Sequence, residues 1–540
     1  MLHLPTILIA PQKVQDMHDN QSVTRADFGL QLLLIGVAFI LFYDVFDWWF
    51  TSSDVFGLIW SSRVQSLSDI GRIFSERLMA DTGFPASYFR PIATLTFSLD
   101  YALWGLNPAG YLATNVLLHG LVACVLYAIL RHFGIQRGVA LTSSLLFLVH
   151  PLHSNTFPSI ARRQDILVAL FFGLSWLLLM RSQATGRMSA YIASLLALLC
   201  ALWSKEIAYV LPLVHIAYLI WSIPASTSAS EIRRRLLIRG TPYIIVTIVA
   251  YGYQLVILGD VNIPFVMFSP YRFNDALGWL VYAPTHYSTA LRNIFYFFTL
   301  PLALFIPILF VIGHRLAWTI TIDHEALHEV YPLATIRLMG LLLLWTVLPA
   351  LLLSITIAQP RSMYTSLAPF SAMMTLFVAQ TGRYLWAQRR AMRRDLLYWW
   401  MGLLWAGVMA TIAILLLFSF MIWQVDMPII RQASYVRRDA YDVLLKQADA
   451  IQLERADTRI INMPVLAPEM DWILYRGPGY PVQEMIWLRL NGYENNIHTY
   501  GNRGSYAVVD AIPTHICLRV ETADDAQLLV FGINAQCDAP

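Results

Sequence analysis

Apolar positions in this chain come in long unbroken runs, and the polar residues gather between them. A run crosses a hydrocarbon layer of about 30 Å when it is long enough at about 1.5 Å per residue. On that measure the pattern predicts about eleven spans, near 28–46, 110–130, 138–150, 165–181, 189–204, 207–223, 242–258, 290–313, 335–356, 366–382 and 397–424. The run 138–150 is short and is counted on its flanks, Arg137 and His150-Pro151. Between the first two runs the period changes. Residues 67–78 (LSDIGRIFSERL) put apolar side chains at i, i+3, i+4 and i+7, which predicts an amphipathic helix, either along a membrane surface or packed on its own loop. Short helical elements are also expected at 55–60 and 92–104.

Past Met427 the pattern becomes that of a soluble domain. Helical periodicity covers 433–453, and strand-like runs follow at 459–462, 485–490, 506–509, 516–520 and 528–531, with a turn at Gly477-Pro478-Gly479. The expected fold class is a polytopic α-helical membrane protein with a small C-terminal α/β or α+β domain. Its expected parts are an N-terminal segment 1–27, a membrane domain 28–424 whose first outer loop is 47–109, and the domain 425–540.

Composition agrees: of 540 residues 57% are apolar and 13% charged, about half the charged share of an average soluble domain. The net charge of +3 sits in short clusters between spans, so it reads as orientation signal and not as a nucleic-acid surface. If the spans alternate, Arg131/Arg137, Arg181/Arg187, Arg233–Arg235 with Arg239, His314/Arg315 and Arg383 with Arg389, Arg390, Arg393 and Arg394 fall on one side. That side is expected to be cytoplasmic, with the N-terminus; His324 and His328 are expected there as solvated loop residues. Residues 47–90 and the tail then lie outside an inner or plasma membrane. The N-terminal stretch lacks a cleavable-signal pattern, so 28–46 reads as an uncleaved anchor. Cys124 and Cys200 lie in apolar runs, whereas Cys517 and Cys537 lie in the tail, where an oxidising exterior permits a disulfide.

On the outer side this topology collects Asp54, Arg90, His150, His153, Arg162, Arg163, Asp165, Lys205, Glu206 and Arg361. Ionisable groups at a membrane boundary default to functional candidates. Carboxylates among several cations suit a reaction with a lipid-phosphate leaving group: cations neutralise the phosphate and a carboxylate takes a proton from an attacking hydroxyl. Each group also has a plainer reading. Arg and Lys can snorkel to headgroups, Lys205 and Glu206 can pair with each other, and His150-Pro151-Leu152-His153 resembles a metal pair without a third ligand. No cofactor is assigned, and a divalent metal stays open as the minor reading.

Several short motifs then occur in order: Phe50-x-x-Ser53-Asp54, Tyr88-Phe89-Arg90-Pro91, LDYALWGLNP at 99–108, Tyr111-x-x-x-Asn115-x-x-x-His119, His150-Pro-Leu-His153, Arg163-Gln164-Asp165, Ser204-Lys205-Glu206 and Arg361-x-x-Tyr364. Over about residues 50–381 they resemble GT-C-type glycosyltransferases of the protein O-mannosyltransferase branch that often carries tetratricopeptide repeats. The resemblance implies a GT-C-like fold and transfer of a mannose-like hexose, with inversion, from a polyprenyl-phosphate donor to a hydroxyl outside. The acceptor is a protein Ser/Thr, a polysaccharide or a glycolipid.

The resemblance makes Asp54 the catalytic base and Asp165 a second acidic site residue. Arg90, Arg163, Lys205 and Arg361 match basic positions, assigned on charge and topology to the donor phosphate; His119, His150, His153, Glu206 and Tyr364 support them. Ser53, Leu112 and Asn155 stand where the family usually has acid, His and Glu, and no repeat array follows. Those departures motivate an alternative, a catalytically degenerate membrane scaffold presenting its tail to a protein partner. A flippase or transporter is a further alternative, against which no paired broken spans occur.

Overall fold

The computed structural model describes residues 24–52, 54–82, 87–157, 159–223, 227–259, 269–280, 333–355, 360–389, 396–446, 459–462, 483–492, 497–500, 515–523 and 526–533. The expected span 290–313, the basic residues Arg315, Arg390, Arg393 and Arg394, the loop histidines His314, His324 and His328, the turn at Gly477, the run 506–509 and Cys537 lie outside them, and with Cys537 the expected disulfide.

Among the described residues six helices are long and apolar enough to cross a membrane: Pro108–His132, Ile160–Thr185, Ala229–Leu258, Ala334–Ser354, Arg361–Gln388 and Tyr398–Gln424. The expected spans at 189–204 and 207–223 are apolar but shorter, as helices Met188–Leu202 and Glu206–Trp221. Those at 28–46 and 138–150 are helices α1 (Arg25–Leu41) and α6 (Arg137–Leu148). The protein is an integral membrane protein built on this helical bundle.

Its centre is α5 (Pro108–His132), α7 (Arg163–Thr185) and α14 (Tyr364–Gln388), whose apolar windows are mostly buried inside the protein. The start of α5 is fixed locally: Asn107 accepts from the Ala109 N–H at 3.1 Å, and Pro108 at the first position gives up a donor that would be orphaned anyway. α5 packs on α1, α6 and α7, and α14 packs on α6 and on α13 (Leu333–Ser354). Gly120 allows the close crossing of α5 and α1, since a Cβ there would stand 3.1 Å from the Ile35 Cα. At one end of that crossing Asp27 accepts from Tyr127 at 2.8 Å, Arg137 at 3.0 Å and Arg131 at 3.2 Å, tying three helices together.

The segment expected as the first outer loop is helical where its period predicts, though the helix expected over 67–78 ends at Ser75. It holds α2 (Val55–Ser62), α3 (Leu67–Ser75) and α4 (Pro91–Trp104). α3 opens with a capping box in which Ser66 and Asp69 satisfy each other's backbone N–H. Ile73 is buried and the Phe74 ring stands 5.9 Å from Trp203, while Leu67 and Ile70 are exposed, so the helix packs one end of its apolar side on the protein and leaves the other end open.

The tail departs from expectation in two places. Over its described residues the helix expected at 433–453 is the C-terminal end of α15 (Leu396–Lys446), 51 residues long with Pro428 inside, so the boundary placed at 424/425 falls within one helix. The run 485–490, read as a strand, is α16 (Gln483–Leu490). Four strands do form a sheet, in the order β2-β1-β3-β4: β1 (Arg459–Asn462), β2 (Ile497–Tyr500), β3 (His515–Ala523) and β4 (Ala526–Ile533). β1 runs parallel to β2 and β3, and β3–β4 is an antiparallel hairpin pairing Cys517 with Gly532.

Candidate functional site

The sequence collected its ionisable residues on one side by counting spans, and the helices bring most of them together. Arg162 closes a short turn at the start of α7, and Asp165 lies in the first turn of that helix. Lys205 and Glu206 lead out of α8 (Met188–Leu202), and Arg361 belongs to the turn before α14. Arg90 immediately precedes α4. Arg181 and Arg187 stand at the opposite end of α7.

Asp54 occupies the N-cap position of α2 but makes no side-chain bond to that helix. Its carboxylate accepts instead from the Ser52 hydroxyl. Ser52 has φ +80°, a left-handed conformation costing a non-glycine residue about 1–3 kcal/mol. Burial alone would raise the Asp54 carboxyl. The charge of Arg162, the Ser52 bond and the charge of Arg361 outweigh burial, so the group stays below its ordinary value and ionised at neutral pH.

The other charges form linked pairs. Arg90 grips Glu206 with two nitrogens, at 3.0 and 2.6 Å, its guanidinium 4.1 Å from the centre of the Tyr88 ring. The Lys205 ammonium donates to Asp165 and, at 3.0 Å, to the Ser362 hydroxyl. Lys205 and Glu206 therefore do not pair with each other; each reaches a different element. Burial drives the Lys205 ammonium down, Asp165 opposes it, and Arg90 and Arg361 add to the fall, leaving it at about 8. Arg361 sits among the charges of Arg162, Asp165, Asp54 and Arg90. The cluster holds four cations (Arg90, Arg162, Lys205, Arg361) against three carboxylates (Asp54, Asp165, Glu206), one positive charge in excess. Two buried polar atoms in it, Arg361 Nε and Asp165 Oδ2, have no hydrogen-bond partner among the described residues. Such atoms are uncommon in folded proteins, and an ordered water, an ion or a ligand can complete their bonding.

Arg163 is elsewhere. Fully buried, it donates to Asn115 Oδ1 at 2.6 Å, the Thr96 carbonyl at 3.2 Å, the Tyr111 carbonyl at 3.0 Å and the Asp100 carboxylate, with Phe97 under its guanidinium. These bonds leave it as a strut between α4, α5 and α7. Its neighbour Arg162 faces Asp54 instead. The sequence had placed Arg162 on the outer side but given it no role.

The histidines are interior groups. His119 Nδ1 meets the Tyr364 hydroxyl at 2.6 Å, His153 Nε2 the Phe147 carbonyl at 2.6 Å, and His150 Nε2 the Leu280 carbonyl at 2.8 Å. Burial drives the His153 imidazole well below its ordinary value. Among the described residues no group of three or more His, Cys, Asp or Glu gathers at metal-binding distance.

Fold and site together define a polytopic membrane protein with a cation-rich, carboxylate-bearing cluster at one end of its bundle. No family model matches the chain. It is similar to protein O-mannosyl-transferase TMTC1 of Homo sapiens, 40% identical over 109 residues that cover 20% of this chain and 12% of the relative. Similarity extends to protein O-mannosyl-transferase TMTC4 of Mus musculus, 30% identical over 169 residues (28% and 22% of the two chains). The same holds for TMTC2 of Homo sapiens, 33% identical over 134 residues (24% and 16%). The matches thus span less than a quarter of these relatives' lengths. They fall in the O-mannosyltransferase branch that the motifs resemble. Among solved structures, ArnT from Cupriavidus metallidurans bound to undecaprenyl phosphate aligns over 94% of this chain and 98% of its own, at 13% identity and a TM-score of 0.46.

Proposed function

We propose that this protein is a GT-C-type membrane glycosyltransferase that passes a hexose, mannose-like, from a polyprenyl-phosphate donor to a hydroxyl acceptor on the outer face. A protein Ser/Thr is the preferred acceptor, in keeping with the relatives' names. The observation that carries the reading is the ionised Asp54 facing Arg162 and Arg361 in a cluster with one excess positive charge. A polyprenyl-phosphate sugar is a phosphodiester with one negative charge, so it balances that excess. Asp54 removes the acceptor hydroxyl proton, the acceptor oxygen bonds to the anomeric carbon from the face opposite the phosphate, and the bond to the phosphate breaks with inversion. The departing phosphate gains a second negative charge, which Arg361, Arg162 and Lys205 meet. Arg90 is held for the same task by Glu206. Arginines at the far helix ends support a cytoplasmic N-terminus with this cluster on the outer side.

The test is transfer from a panel of radiolabelled polyprenyl-phosphate hexoses by purified protein in detergent, with host lysate as acceptor. Transfer or donor hydrolysis upholds the reading; a protein that binds none of the donors sinks it. Two further results are expected. Lys205→Met should raise the donor Kd by about tenfold or more, as loss of a charged hydrogen bond does. Donor binding by the wild type should weaken as pH rises through about 8, where Lys205 loses its proton. Lys205→Arg, which stays charged, should move that limb upward, and a limb unmoved in that variant would remove Lys205 from the phosphate.

A further inference from the structure

Trp49 and Phe56 bracket Asp54 in sequence, and the structure closes that bracket from outside the membrane bundle. Their rings lie 5.5 Å apart. Trp487, from α16, stands 5.5 Å from Trp49 and 5.0 Å from Phe56. Tyr441, near the outer end of α15, stands 5.1 Å from Trp49, 5.2 Å from Phe56 and 5.9 Å from Trp487. All four side chains are buried, and the Trp49 N–H donates to the Ser434 hydroxyl at 3.3 Å. Inside this grip the chain makes the left-handed turn at Ser52 whose hydroxyl holds the Asp54 carboxylate. A turn of that kind persists only where its surroundings over-determine it. On the outer side those surroundings are residues far along the chain from the loop itself.

We propose that Trp487 is a positioning residue for Asp54: α16 clamps residues 49–56 so that the Ser52 turn presents the carboxylate to Arg162 and Arg361. The inference rests on the reading of Asp54 as base, and it makes the C-terminal segment part of the reaction site. Acceptor and donor need not touch Trp487; the ring acts through the loop.

The test uses full-length protein in detergent, comparing wild type, W487F and W487A by amide hydrogen exchange and by sugar transfer across pH. W487F, which keeps a ring in the box, should resemble wild type. In W487A, exchange in peptides covering 49–62 should quicken by about tenfold or more while peptides from 108–132 hold. Turnover should fall by roughly ten- to a hundredfold, as small misplacements of a reacting group do, with the donor KM unchanged. The acid limb of the pH–rate profile should also move up toward the ordinary carboxylate range. Ser52, Arg162 and Arg361 are the groups that hold Asp54 ionised, and a loosened loop gives up the first. A merely structural Trp487 moves no such limb. If W487A yields no folded protein, Trp487→Leu, which keeps apolar volume without ring packing, carries the same comparison. Unchanged exchange over 49–62 overturns the clamp, and so does a raised donor KM with the acid limb in place. If the wild type transfers no sugar, local loosening in W487A still upholds the clamp and only the role of Asp54 as base falls.

Discussion

Asp54→Asn is expected to lower sugar transfer by at least about a hundredfold, within the range that general-base assistance contributes, while donor binding survives. The two effects separate because of the charges around the residue. Asparagine keeps the size of the side chain and an oxygen for the Ser52 hydroxyl, so the turn has no reason to open. It removes one carboxylate from a cluster of four cations and three anions, which favours an anionic donor if it changes anything. The loss should therefore appear in kcat and not in donor KM. A base held below the ordinary carboxylate value is weak, yet the chemistry tolerates it. The acceptor hydroxyl becomes strongly acidic once its oxygen begins to bond to an oxocarbenium-like carbon, so the proton leaves late and easily. The pH profile follows with its sign. Wild-type turnover should hold as pH falls to the ordinary carboxylate range near about 4 and fail only below it. Full turnover in Asp54→Asn would remove Asp54 as the base, whereas a wild type that turns over no donor would favour the scaffold alternative.

Much of the architecture was legible because bilayer crossing leaves so coarse a signature. Long apolar runs mark α5, α7 and α14 without any knowledge of contacts, and the i, i+3, i+4, i+7 spacing gives α3 equally directly. Short elements carry too few periods to distinguish: six residues at 485–490 fit a strand as well as the helix they form. The change of composition after Met427 marks where α15 leaves the apolar layer, which its backbone does without ending.

The site was legible in its members but not in their partners. Sequence adjacency suggested Lys205 with Glu206, but an extended residue followed by a turn sends successive side chains to different neighbours, Asp165 and Arg90. It likewise put Arg162 and Arg163 on the same side and gave only Arg163 a role. They straddle the start of α7, and since helix neighbours in sequence do not share a face, one reaches the loop of Asp54 and the other the core. The aromatic box around Trp487 had no sequence signal, because its four rings come from three distant segments.

The difference between those two arginines gives the largest expected effect on stability. Arg163→Met should destabilise the folded protein by about 3–5 kcal/mol, the usual result of leaving one partner of a buried ion pair behind. Among the described residues Asp100 would keep its charge with only the Thr114 hydroxyl to serve it, at 2.7 Å, and Asn115 would lose the donor on its oxygen. The double variant Arg163→Met with Asp100→Leu should regain the larger part of the loss, because a buried pair exchanged for apolar side chains is often near neutral. Recovery would not be complete, since the Thr96 and Tyr111 carbonyls also lose a donor. The midpoint of unfolding in a sodium dodecyl sulfate titration, measured for both singles and the double, gives the coupling between the two residues directly. Donor affinity per folded molecule should match wild type in every variant. The opposite pattern, normal stability with donor binding lost in Arg163→Met, would return Arg163 to the phosphate as its motif suggests and would leave the strut without a function.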